Sequence, residues 1–150
     1  MKTFADNTGR TWSIAINVGA VKRVRASLDV NLLDAVEGKL IERLVSDPIL
    51  LCDVIFVLCQ QEAETRGITD EQFGQAMAGD AIDAATSALL EELVDFFPSG
   101  KRQVLAKALA KLKAFEAKAI ELASKRLDDP ALEQQLNQAL EQLPAVTPGS

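Results

Sequence analysis

The chain contains no histidine and no tyrosine. Without histidine it lacks the general base of Ser-His and Cys-His nucleophilic pairs, and a metal site would fall to two cysteines and scattered carboxylates. Those cysteines, Cys52 and Cys59, lie seven residues apart. On a helix that spacing is about 10 Å of rise, beyond the roughly 7 Å between Cα atoms that a disulfide tolerates. It is also not the short CxxC spacing of zinc sites. Both read as free core thiols in a reducing cytosol. Long apolar runs are missing too. The most apolar stretch, Ile49 to Cys59, is interrupted by Asp53 and falls short of the roughly 20 residues that span a bilayer, so a buried helix is expected. The opening MKTFADNTGR has no apolar core of a secretory signal, and a cytoplasmic location is expected. No glycine-rich loop has phosphate-cradling form, because Gly74 and Gly79 follow no strand and precede no Gly-Lys-Ser/Thr. These absences predict a protein that is not an enzyme and holds no cofactor or metal.

What is present points to helices. Aromatics are few, six Phe and one Trp, and Ala and Leu take their place, which favours helix. A length of 150 residues, 48% hydrophobic and 25% charged, suits one globular domain with a real core. The net charge of −6 argues against nonspecific binding to DNA or anionic membranes. Charge is unevenly spread. Residues 1–100 carry eight basic and sixteen acidic side chains, residues 101–127 eight basic and two acidic, and residues 128–150 four acidic and none basic.

Residues 2–16 read as a β-hairpin. Phe4 precedes a polar turn, Asp6 to Arg10, and Trp12, Ile14 and Ile16 then fall on one face at period two. A lone hairpin is marginal in water, so Trp12 must pack on a helix or pair with strands of another copy. Asn17 caps the next segment, with Val18, Val21, Val24 and Leu28 on one face. Asn31 caps a second helix through Val45, with Leu33, Val36, Leu40 and Leu44 inward and Gly38 as a weak point. Asp47-Pro48 starts the apolar helix expected at the centre of the core. Thr69 and Gln72 form a capping box for a short helix. Asp80 opens a helix with Ile82, Ala85, Leu89, Leu93 and Phe96 inward, broken at Pro98-Ser99-Gly100. A long amphipathic helix follows to Leu127, with Leu105, Ala108, Leu112, Phe115, Ala119 and Leu122 on its seam. Asp129-Pro130 starts a last helix carrying Leu132, Leu136, Leu140 and Leu143, and Pro144 ends it. The fold class is therefore mainly α: a helical domain with a small N-terminal β-hairpin over residues 1–97, a C-terminal helical hairpin extension over 98–143 packed on that domain or on a partner, and a disordered tail over 144–150.

Carboxylate pairs such as Asp80 and Asp83, or Glu91 and Asp95, lie about a turn apart but read as solvated helix positions, as does Glu92. An enzyme working with carboxylates alone would need a pocket that gathers several, for example Asp53, Asp80 and Asp83. Asp53 sits inside the most apolar helix, where an unpaired charge is costly; it lies either on a single exposed stripe, in a salt bridge, or facing a partner. Lys111, Lys118 and Lys125 form a seven-residue stripe that faces the acidic remainder of the chain, a second copy, or solvent. Nucleic acid is disfavoured because the one aromatic there, Phe115, falls on the apolar seam rather than among the lysines. Trp12, Asp53, Lys111, Lys118 and Lys125 are the candidate partner-binding residues.

An ordered set of short patterns runs through the first hundred residues. It comprises Phe4, Asp6, Gly9 and Trp12-Ser13-Ile14; then Asn17, Val21, Val24-Arg25, Asp29 and Leu32-Leu33; then Asp47-Pro48 heading an apolar helix; then Ile68 to Phe73; and finally Ala88 to Leu93 with Phe96-Phe97. This layout resembles the tail assembly chaperones of long-tailed phages and related gene-transfer-agent-like particles. The segment from Lys101 to Leu143 matches no motif of that kind. The resemblance implies a non-catalytic factor that holds a tape measure protein before the tail tube polymerises. A tape measure protein is long and helical, so helix-in-groove packing suits it, with self-association and the hairpin edge as further contacts. A helical adaptor or regulatory module for another protein is the competing reading, and a structural component of the particle is a further one.

Overall fold

A computed structural model describes residues 1–143. The expected tail 144–150, and the helix stop at Pro144, lie outside the described residues. The fold is mainly α with a small N-terminal hairpin, and the chain divides into two units, Met1–Leu109 and the part from Ala110 onward.

In the first unit, β1 (Lys2–Ala5) and β2 (Thr11–Ile14) pair antiparallel, with Phe4 opposite Trp12. The period-two face is as expected: Trp12, Ile14 and Ile16 are all buried. Helix α1 (Val18–Leu28) begins at Asn17, whose side chain accepts from Ala20 N. Its buried face is Ala20, Val21 and Val24, while Val18, expected inward, is exposed in the first turn.

Asn31 does cap, but it caps a 3-10 helix, Leu32–Glu37, followed by a separate helix α2 (Lys39–Ser46). Gly38, between them, has φ +87°. A left-handed residue cannot continue a helix, so what reads as a weak point is a break. The tighter turn before it also shifts the inward face from Leu33, which is exposed, to Leu32 and Ala35.

Helix α3 (Pro48–Leu58) starts where Asp47 accepts from Ile49 N and Leu50 N. It packs against α1 and α2, and its Leu51, Val54 and Ile55 are fully buried. The chain turns at Cys59 into α4 (Gln60–Arg66). The capping box of Thr69 and Gln72 forms and opens α5 (Asp70–Gln75). Helix α6 (Asp80–Phe96) lies on β1 and on α3, burying Ala85, Leu89 and Leu93. Hairpin and apolar α3 thus reach one core through α6.

Helix α7 (Ser99–Leu127) begins in the first unit, where its Leu105 and Leu109 are buried. These two leucines carry that unit past residue 97, where the sequence placed a boundary. The second unit holds the rest of α7 and α8 (Pro130–Glu141), whose N-cap Asp129 accepts from Ala131 N. The expected helical hairpin is not closed: α7 and α8 share no packed interface, and α8 has no buried residue. No helix among the described residues is long and apolar enough to cross a membrane.

Candidate functional site

Three places gather the side chains of interest, and the first is structural. Trp12 is fully buried, which corrects its expected partner-facing role. Its ring meets Phe73 of α5 edge-on at 5.1 Å between centroids, and the Arg66 guanidinium sits 4.9 Å above it. Its Nε1–H donates to Asp6 Oδ2 at 2.9 Å. The other Asp6 oxygen accepts from Thr8 N at 2.9 Å, Thr8 Oγ1 at 2.6 Å and Arg10 N at 3.1 Å. Burial pushes the Asp6 carboxyl up, but these donors together hold it below the ordinary aspartate range, as expected when hydrogen bonds favour the charged form. Asp6 therefore builds the turn and ties it to the indole.

The hairpin edge is also committed. Ser13 N donates to Glu62 Oε1 at 2.9 Å, and the Cys59 thiol donates to Ser13 O at 3.5 Å. Strand addition at Ser13 would have to displace both, so that edge is not open in the way a bare hairpin would be. Cys59 is buried, and its thiol is pushed up to about 12 by burial and by Glu62. It is an inert core group rather than a nucleophile. Glu92 is not a solvated helix position: it is buried, faces the Met1 amino group at 3.2 Å, and its Oε1 accepts from Ile16 N at 3.4 Å.

The second place is a groove of about 320 Å³ between α3, α5 and the start of α6. Apolar Ile49, Phe73, Met77 and Ile82 line it together with Asp53, Asp70 and Glu71. Ile49 is 75% exposed although it stands in the first turn of the core helix. Asp53 is half-buried, with no ion pair or hydrogen bond to its side chain among the described residues. Burial, then repulsion from Asp70 and Asp47, pushes its carboxyl up. Of the three alternatives for Asp53, no salt bridge forms among the described residues, and the side chain lines this groove. Asp80 and Asp83 do not join it; both are exposed in the first turn of α6. No group of three or more His, Cys, Asp or Glu placed to hold a metal ion occurs among the described residues.

The third place is the second unit. Phe115, Ile120, Leu122 and Leu127 of α7 are exposed, and so are Leu136, Leu140 and Leu143 on and after α8. Lys111, Lys118 and Lys125 are exposed along α7, Lys125 paired with Glu121 at 3.1 Å. An exposed pair of that kind holds little energy, so the lysines remain available. The sequence pattern found the seam and the stripe, but of the six residues on the α7 seam only Leu105 is buried. It did not find the groove, whose lining joins residues from three elements. No family model matches this chain, and neither a curated protein nor a solved structure does.

Proposed function

We propose that the protein is a non-catalytic assembly chaperone of the cytoplasm, which binds a long helical tape measure protein and keeps it soluble while a phage-like tail assembles. The observation that carries this reading is the exposed apolar surface of α7 and α8. Phe115 is 71% exposed and Leu140 65%, and contiguous exposure of large apolar side chains marks interaction surfaces. Leucines at helical spacing, flanked on α7 by lysines, suit the apolar stripe of another helix with acidic flanks. The order of hairpin, capped helices and Thr69 capping box supports the same reading through its resemblance to tail assembly chaperones. The missing histidine and the separation of Asp53 from Asp80 and Asp83 support a role without catalysis.

The test is co-expression of the full chain with a candidate tape measure protein from the same genome. The partner is expected to stay soluble and to co-purify, and Leu136→Ser with Leu140→Ser is expected to abolish both effects. A tape measure protein that precipitates equally with and without the chain would sink the proposal. The groove beside Asp53 favours a second reading, a helical adaptor that takes one protruding apolar or cationic side chain of a globular partner. A stable one-to-one complex with such a partner, and no effect on tape measure solubility, would select it.

A further inference from the structure

Helix α8 is twelve residues long and buries none of them. A helix of that length is marginal in water unless one of its faces is covered. Leu132, Leu136 and Leu140 recur every four residues, which places them on one stripe of α8, and Leu143 follows just past its end. On α7, Leu112, Phe115, Ala119 and Leu122 form another. At 1.5 Å per residue the stripes run about 12 Å on α8 and about 15 Å on α7. Only Leu112 and Leu132 are half-buried; the other six are exposed.

The charges beside the two stripes are opposed. Residues 110–127 carry five basic and two acidic side chains, whereas residues 128–143 carry four acidic and none basic. Only Asp128 and Asp129 join α7 to α8, yet the two helices do not close on each other.

We propose that a second copy of this chain covers both stripes: α8 of one copy lies along the seam of α7 of the other, and the reverse contact closes a two-fold dimer through the C-terminal units. Pairing α7 with α8 brings basic beside acidic segments. Pairing α7 with α7 would set lysine stripes against each other, which complementarity disfavours. The contact is isologous, so it stops at two copies. The same stripes carry the chaperone reading, so the dimer is the form without a partner, and a long helical partner would displace the second copy.

The test uses the full chain. Light scattering is expected to give twice the chain mass, and helix content is expected to rise with concentration as α8 becomes covered. Leu136→Ser with Leu140→Ser should weaken association by about tenfold or more and lower the helix content, while leaving the tryptophan signal of the first unit unchanged. To separate exchange from closure within one chain, two differently tagged chains are mixed, both Cys52→Ala, one with Lys118→Cys and the other with Asn137→Cys. A bismaleimide adduct containing both tags is expected. A chain that stays monomeric up to about 0.5 mM, where even weak complexes assemble, would overturn the proposal. So would cross-linking confined to single chains that carry both cysteines. These readouts need no tape measure protein, so failure here is distinct from failure of the chaperone reading.

Discussion

Asp6 shows how one carboxylate can organise a small hairpin. It is buried at 5% exposure, and its oxygens accept from Thr8, Arg10 and the Trp12 indole. A hydrogen bond to a charged group is worth about 1.5–3 kcal/mol, so Trp12→Phe should cost about 2 kcal/mol at neutral pH through that bond. The sign with pH follows from the lowered Asp6 pKa. A group with a depressed folded pKa contributes stability that is present above its unfolded value and is lost as pH falls through the folded value. The gap between wild type and Trp12→Phe in urea melts followed by circular dichroism should therefore be full near neutrality and close as pH drops below the ordinary aspartate range. Asp6→Asn should flatten that pH dependence and reduce the further effect of Trp12→Phe. Equal effects of Trp12→Phe in the wild-type chain and in the Asp6→Asn variant would show that the indole acts through packing alone.

At the scale of elements, the glycines separate local from tertiary causes. Gly38 holds φ +87°, and a Cβ there would meet nothing within 4 Å. Gly38→Ala should cost about 1 kcal/mol for the left-handed backbone alone. Gly74 has equal space inside helix α5 and no positive φ, so Gly74→Ala should stabilise by about 0.5 kcal/mol. Opposite shifts in thermal midpoint are expected, and an unchanged or raised midpoint for Gly38→Ala would refute the assignment of the break to Gly38. The same contrast explains what was legible in the sequence. Asn17, Asp47, Thr69 with Gln72, and Asp129 each cap through bonds within three residues, so their chemistry is local and could be read directly. The break at Gly38 and the move of the buried face from Leu33 to Leu32 depend on what the segment packs against. The groove beside Asp53 was half legible: a charge in an apolar helix flagged the residue, but Phe73 and Met77 arrive from a distant stretch of chain. On α7 and α8 the periodicity identified the apolar stripes, while the intramolecular hairpin expected from them is not formed.

For the whole molecule, the two units differ in what holds them together. The first buries Trp12, Phe73, Leu51, Leu89 and Leu105 in one core. In the second, from Ala110 onward, no described residue is buried. Helices without a covered face lose helix content gradually and at low stress, whereas a packed core unfolds cooperatively. Trp12 is the only tryptophan and belongs to the first unit, so its fluorescence reports that unit alone, while far-ultraviolet circular dichroism sums every helix. Heating should therefore give two curves that do not coincide: an early loss of dichroism without a fluorescence change, then one transition shared by both signals. If a second copy covers α7 and α8, the early phase should move to higher temperature as protein concentration rises, by mass action, and the later phase should stay fixed. Coincident curves at all concentrations would mean that the residues beyond Leu109 unfold with the core, and the exposed leucines would then need a different account from an open binding surface.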